Sequence, residues 1–270
     1  MVEGYPSVAA YGEAKPTLAE PVADPPPVLS VVIPSHNESE NILRLLAEIR
    51  EALDARVSYE VVVVDDCSDD TTSTLLRQAA ASFPTLRAFR HHRQCGQSTA
   101  LVTGVRNSRA PWIATLDGDG QNDPADIPKL LAVLRDSHRG SGLGLIAGHR
   151  AKRKDTWLKR LSSRIANGIR SRLLHDQTPD TGCGLKLFER DAFLALPHFD
   201  HVHRFLPALF QRAGLKVVSV PVNHRPRTRG QSHYGVGNRL WVGIVDMLGV
   251  MWLQRRSRLP QGIEDLSERN

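Results

Sequence analysis

Four times between residues 28 and 124, a short β-prone run meets a polar turn, and after each of the first three a segment of helical spacing follows. The first run is Val28-Leu29-Ser30-Val31-Val32-Ile33, which Pro34 is expected to stop. After Pro34-Ser35-His36-Asn37-Glu38, with Ser39 as candidate N-cap, come Ile42, Leu45, Leu46, Ile49 and Leu53 at intervals of one helical face. The second run, Tyr59 to Val64, ends in Asp65-Asp66-Cys67-Ser68-Asp69-Asp70, and a helix through Leu75 and Leu76 is expected next. The third, Leu86 to Phe89, leads through His91 and Gly96 to a helix over Gln97–Ser108. The fourth, from Trp112, runs into Asp117-Gly118-Asp119-Gly120-Gln121-Asn122-Asp123-Pro124. Strand–helix alternation of this kind predicts an α/β fold with a mostly parallel, doubly wound sheet and helices on both faces.

Such a sheet binds ligands at the carboxyl ends of its strands. Glu38, Asp66 and the pair Asp117/Asp119 fall at three of those ends and therefore on one face. Any one of them would pass as a helix N-cap or first-turn acid, the reading preferred for Asp69 and Asp70. Asp-Gly-Asp alone would equally pass as an acidic turn. Three successive ends converging on one face favour a site. Two carboxylates on one turn suit a hard cation, Mg²⁺ or Mn²⁺, sharing its coordination with substrate phosphates.

Further on, Leu143–Gly148 reads as a strand ending at His149-Arg150. The next stretch carries Arg150, Lys152, Arg153, Lys154, Lys159, Arg160, Arg164, Arg170 and Arg172, with Leu158, Leu161, Ile165, Ile169 and Leu173 at helical spacing beside Trp157. This predicts a basic amphipathic helix, which either packs on the core or lies in a membrane interface with its cations over phosphates. Asp180-Thr181-Gly182-Cys183-Gly184 is a Gly-rich turn into a short strand. Its glycines allow either a close backbone approach or positive φ. Phe205–Phe210 is expected to be helical despite Pro207, and Leu215–Pro221 a strand. A basic loop follows, with Arg225, Arg227, Arg229 and Ser232, able to close over a diphosphate. Leu240–Leu253 is apolar and holds Trp241 and Trp252. It is expected to pack on the domain or another chain, or to lie in a membrane interface.

Three domains of the chain are thus expected: a flexible Pro/Ala-rich tail over 1–27, a folded domain over 28–235, and an apolar helix with a polar tail over 236–270. The net charge of +6 points to phosphate-bearing partners. Nucleic acid is not among those expected, because the basic residues lack interleaved aromatics and any recognisable nucleic-acid motif. Cys67, Cys95 and Cys183 have no zinc-ligand spacing and read as free thiols in a reducing compartment. No signal peptide is read at the N-terminus, and no apolar run reaches the roughly 18–20 residues that span a bilayer.

Five ordered motifs, "VVIPSHNESENI", "VVVVDDCSDDT", "TLDGDGQNDP", "DTGCGLKLFERD" and "RTRGQSHY", resemble family 2 glycosyltransferases of the GT-A fold. Within that family the resemblance is to the polyprenol-phosphate and dolichol-phosphate sugar synthases, and it covers roughly Leu29 to Leu240. It implies an inverting, metal-dependent transfer from a nucleotide-diphosphate sugar (GDP-mannose or a UDP-sugar) to a polyprenyl phosphate. The implied location is cytoplasmic, peripheral at the inner membrane face. A membrane-anchoring partner or a homo-oligomer is also contemplated. By the same resemblance Pro34, His36 and Glu38 would border the nucleoside, His36 standing where tyrosine is common, and Asp66 would bond the base. Asp117, Asp119 and Gln121 would hold the metal. Arg150, Lys159, Ser163 and Arg227 match phosphate-holding positions, and Arg229 would assist. Lys159 stands where arginine is usual. Ser232 and Tyr234 match a Ser-Lys-Tyr pattern in which His233 replaces the lysine. Asp180 is expected to orient the sugar, the acceptor or a nearby cation rather than take a proton, since a phosphate monoester is already largely dianionic near neutrality. Two other functions are weighed: transfer to a soluble saccharide hydroxyl, which would need a base, and a non-catalytic membrane- or nucleotide-binding protein.

Overall fold

The computed structural model describes residues 26–137, 142–150, 168, 170–176, 178–226 and 236–256, with side chains of 236–241 excepted. Its sheet is built from β1 (Leu29–Ser35), β2 (Tyr59–Asp65), β3 (Leu86–Arg90), β4 (Trp112–Thr115), β5 (Leu143–Arg150), β6 (Lys186–Glu189) and β7 (Lys216–Val222). The order across the sheet is β3-β2-β1-β4-β6-β5-β7. β1 pairs in parallel with β2 and β4, β2 with β3, and β5 with β7, while β6 runs antiparallel to both β4 and β5. The expectation of a mostly parallel α/β sheet holds, with β6 the reversed strand.

Alternate residues of β1 face opposite sides. Val31 and Ile33 join the core beneath α1 (Ile42–Leu53), α2 (Thr72–Ser82) and α4 (Ile127–Asp136). Val32 joins the other core, under α3 (Gln97–Asn107), α5 (Arg190–Leu194), α6 (Leu206–Arg212) and α7 (Val236–Arg256). Both faces are covered, which is why these strands read as nearly unbroken apolar runs. Each fully buried aliphatic or aromatic side chain contributes roughly 1.5–3 kcal/mol. Phe188 and Phe193 stack at 4.9 Å in the second core.

Two local expectations are corrected. Pro34 does not stop β1, which continues to Ser35. β4 pairs only as far as Val32, so no ladder partner is lost where the proline lacks its N–H. Nor does Ser39 cap α1. Asn41 occupies that position without a side-chain capping bond, and the Ser39 N–H donates to Asp70 Oδ2. Asp70 Oδ1 also accepts from Thr72 N at the start of α2, in keeping with the helix-start role expected of it. Pro207 is tolerated in α6 because it sits in the first turn. The tail to residue 25, most of the basic stretch after Arg150, and residues 227–235 lie outside the described residues. Helix is described at 170–174. Among the described residues no helix is long and apolar enough to cross a membrane.

Candidate active site

The site is assembled where β1, β2 and β4 end together. β4 delivers Asp117 two residues beyond its last paired residue, and the turn is locked by short-range bonds. Asp117 N donates to Asn122 Oδ1 at 3.1 Å, and Gln121 N donates to Asp119 Oδ1 at 3.1 Å. Gly120 takes φ +71°, the left-handed conformation a side chain disfavours. Gly118 fits against the end of β1, where an added Cβ would lie 3.2 Å from Glu38 Cγ and 3.4 Å from the Pro34 carbonyl.

The Asp117 carboxylate is held from two sides. Gln97, the first residue of α3, donates its amide Nε2 to Asp117 Oδ1 at 2.8 Å. On the other side the backbone of Gly184 closes over it, since a Cβ there would lie 2.2 Å from Asp117 Oδ2. Gly184 is thus required for the close approach of backbone to a side chain of the same protein. Its φ is not positive, so the alternative reading of these glycines fails at this position. Desolvation, followed by the charge of Asp119, pushes the Asp117 carboxyl up to about 6, against the opposing pull of Lys186 and Arg150. Two carboxylates on one turn supply hard oxygen donors. Asp117, Asp119 and the adjacent Gln121 therefore fit a hard divalent ion.

The nucleoside edge proposed from the motifs is an interlock of two loops. His36 Nδ1 lies 2.9 Å from the Asp66 carbonyl, Asn37 N donates to Ser68 Oγ, and Glu38 N donates to Thr72 Oγ1. Asn37 and Cys67 both adopt positive φ, of 56° and 61°, where these loops leave β1 and β2. Asp66 is buried. Its Oδ1 accepts from Cys95 N at 2.9 Å and lies 2.7 Å from His91 Nδ1, while Oδ2 accepts from Gly96 N at 2.7 Å. The sequence reading missed this second role, which ties β2 to the loop before α3.

Arg150, at the end of β5, meets Asp180 in a bidentate pair of 2.6 and 2.8 Å, both side chains largely buried. Of the roles weighed for Asp180, holding a neighbouring cation is the one this geometry displays. Arg170 braces the loop below through Asp176 at 3.1 Å, the Thr178 carbonyl and the Thr181 hydroxyl. After β7, Asn122 and His224 form an antiparallel bridge, and Arg225 N donates to the Gln121 carbonyl. The Arg225 guanidinium binds Glu48 and Asp123, each at 2.7 Å. His224 and Arg225 thus lie against the acidic turn itself. Lys159, Ser163, Arg227, Arg229 and Ser232 lie outside the described residues.

Beside Asp117 a cavity of about 210 Å³ opens, lined by Pro34, Gln97, Thr181, Lys186, His203 and Arg204 among others. Gln97, Lys186, His203 and Arg204 were given no role by the sequence reading. Gln97 alone had a signal, its place at a helix start directly after a strand-end loop. Cys67, Cys95 and Cys183 are free thiols, as expected.

A sheet of this order, with paired acids after β4, is of the glycosyltransferase type, and residues 30–196 match the model of glycosyl transferase family 2. The chain belongs to that family. It is 33% identical over 211 residues to the undecaprenyl-phosphate 4-deoxy-4-formamido-L-arabinose transferase of Edwardsiella ictaluri, covering 77% of this chain and 63% of that protein. It is also 33% identical over 242 residues to the dodecaprenyl-phosphate galacturonate synthase of Rhizobium johnstonii, covering 86% of this chain and 69% of that protein. The chain thus spans somewhat under two thirds of the arabinose transferase's length. Among solved structures, glucosyl-3-phosphoglycerate synthase from Mycobacterium tuberculosis, in complex with Mn²⁺, UDP and glucosyl-3-phosphoglycerate, superposes with TM-score 0.63. The identity is 19%, over 84% of this chain and 80% of that one. The mannosyltransferase PcManGT from Pyrobaculum calidifontis, in complex with GDP-Man and Mn²⁺, gives TM-score 0.60 at 20% identity, over 87% and 66%. These two likenesses establish the GT-A fold.

Proposed function

We propose that the chain is a metal-dependent, inverting glycosyltransferase that moves a sugar from a nucleotide-diphosphate sugar to a polyprenyl phosphate. The observation that carries this reading is the acidic pair after β4, with Asp117 pinned by Gln97 and Gly184 at the mouth of a sugar-sized cavity. Asp117, Asp119 and Gln121 would hold Mg²⁺ or Mn²⁺. When bound, the ion supplies Lewis-acid stabilisation of the charge that develops on the departing diphosphate. The two structural neighbours whose complexes contain Mn²⁺ with a nucleotide or nucleotide sugar support this, as do the polyprenyl-phosphate names of the sequence relatives. Those relatives differ in the sugar they are named for, so the names alone leave the sugar open.

The remaining steps fall to side chains. His36, Glu38 and Asp66 would border the nucleoside, and Arg227 with Arg229 would close over the diphosphate. The acceptor phosphate, with a second pKa of about 6, attacks as a dianion and needs no strong base. Arg150, Lys159 and Ser163 are the phosphate-holding candidates. Asp180 acts in this scheme by fixing the Arg150 guanidinium, and its bidentate engagement leaves it ill-suited to take a proton. Transfer to a saccharide hydroxyl, which would need that base, is accordingly disfavoured.

Access to the lipid is assigned to the inner membrane face. Val245, Leu248 and Trp252 are exposed along one side of α7, which ends in Arg255 and Arg256, the arrangement of an interfacial helix. Residues 28–235 would form the catalytic domain and 236–270 this membrane-facing appendix. The test is sugar transfer from labelled UDP- and GDP-sugars into organic-extractable polyprenyl phosphate. Asp119→Ala is expected to lower the rate by at least a hundredfold while the thermal midpoint stays within a few degrees. Undiminished metal-dependent transfer by that variant would remove the metal assignment.

A further inference from the structure

The cavity beside Asp117 is unusual in the charges it gathers. Its lining includes the buried Lys186 on β6, whose ammonium donates to the Cys183 carbonyl, and Arg204, just ahead of α6. Among the described residues no carboxylate lies within ion-pair distance of either cation; burial pulls the Lys186 ammonium below the ordinary lysine range, and the charges of Cys183, Asp117 and Asp180 oppose that only in part. The Arg204 guanidinium is also close to α7, within 4.0 Å of where a Cβ on Gly243 would stand. His203 also lines the cavity, its Nδ1 2.8 Å from Ser98 Oγ at the start of α3. Desolvation, then the charges of Lys186 and Arg204, push His203 down to about 3, so the ring is neutral and adds no charge beside Lys186 and Arg204.

Position and size say what enters. The leaving diphosphate is assigned to the acidic pair, so the carbon it departs from lies next to Asp117, where the cavity opens. At about 210 Å³ the cavity is smaller than the roughly 300–1,000 Å³ of pockets for drug-sized ligands, and it suits one sugar ring. A neutral ring offers only hydroxyls. Lysine and arginine are donors without acceptor capacity, and leaving the buried Lys186 ammonium without an anion is costly, whereas Arg204 stands exposed at the cavity rim. A carboxylate on the ring satisfies both cations at once.

We propose that this cavity is the subsite for the transferred sugar and that it selects a sugar bearing a carboxylate, a uronic acid, held by Lys186 and Arg204. The proposal rests on the glycosyltransferase reading above. The competing use of these cations is neutralisation of the diphosphate, which all nucleotide sugars share, and the two uses separate experimentally.

The full chain with Mn²⁺ is titrated calorimetrically with two matched pairs: UDP-glucuronate against UDP-glucose, and UDP-galacturonate against UDP-galactose. In at least one pair the uronate is expected to bind tenfold or more tightly than its hexose. In Arg204→Gln, an exposed and therefore foldable change, that ratio is expected to fall by about tenfold or more. Equal affinities within both pairs, or a ratio untouched by Arg204→Gln while both affinities fall together, would overturn the uronate assignment and leave the transferase reading standing. If neither member of either pair binds, the UDP-sugar reading fails and the uronate proposal falls with it. Because binding needs no acceptor, the result is independent of whether polyprenyl phosphate is the acceptor.

Discussion

At the scale of single residues, the site turns on how little room Asp117 has. Its carboxylate is bonded by Gln97, backed by the Gly184 backbone and held near Asn122, whose own Oδ1 accepts from Asp117 N. Adding one methyl at 184 places carbon 2.2 Å from Asp117 Oδ2 and 2.6 Å from Asn122 Oδ1, so the carboxylate must turn out of its seat. Gly184→Ala is therefore expected to weaken Mn²⁺ binding at least tenfold, read by calorimetry. Its cost to global stability is expected to be only about 1–3 kcal/mol, the usual penalty for overpacking. Unaltered Mn²⁺ affinity would show that Asp117 is not a ligand, or that its orientation does not matter. The two acids were legible from Asp-Gly-Asp at a strand end. For Gln97 and Gly184 a helix start and a Gly-rich turn were legible but not the contact with Asp117, because that partner is 20 or more residues away and only the sheet brings them together.

At the scale of elements, α7 presents two different faces. Met247, Val250, Met251 and Leu253 pack into the core beside α6, whereas Val245, Leu248 and Trp252 stand 54%, 56% and 59% exposed. An ordinary packed helix would turn charge to solvent on that side. Leu248→Asp together with Trp252→Ala is expected to reduce sedimentation with anionic phospholipid vesicles by more than tenfold, since each large apolar group moved into lipid contributes on the order of 1–2 kcal/mol. The thermal midpoint should barely move, because neither side chain joins the core. Equal sedimentation of the double variant would assign that face to something other than a membrane. The sequence had left α7 between packing and interface. One face packs, and the opposite face is exposed and is the one proposed for the interface, a division that composition without neighbours does not yield.

At the scale of the whole molecule, the β3-β2-β1 side of the sheet is tied to the segment that leads into β4 by buried charge as well as by apolar packing. Glu60 on β2 is 1% exposed and accepts from Ser30, from Arg109 backbone and side chain, and from Arg87. Burial alone would raise its pKa, yet the hydrogen bonds from Arg109, Ser30 and Arg87 outweigh it and hold the carboxyl below its ordinary 4.5. The folded form thus binds this proton less readily than the unfolded chain. Glu60 contributes stability that is fully present above about pH 4.5 and is lost as pH falls through its lowered folded value. Denaturant midpoints between pH 6 and pH 3 should decline, and Glu60→Gln should flatten that decline while costing about 1.5–3 kcal/mol at neutrality. A pH profile identical in the variant would mean that other carboxylates carry the acid sensitivity. What the sequence determined by itself was everything that repeats locally: strand and helix periods, the α/β class, the acids at strand ends, and the motifs that mark the family. Those follow from interactions between residues a few positions apart, which spacing records. What only the tertiary structure decided was the reversal of β6, the bidentate Arg150–Asp180 pair, and the joining of Lys186, His203 and Arg204 around one cavity. Such contacts depend on which strand ends lie side by side, and the periodicity of a single chain does not specify its neighbours.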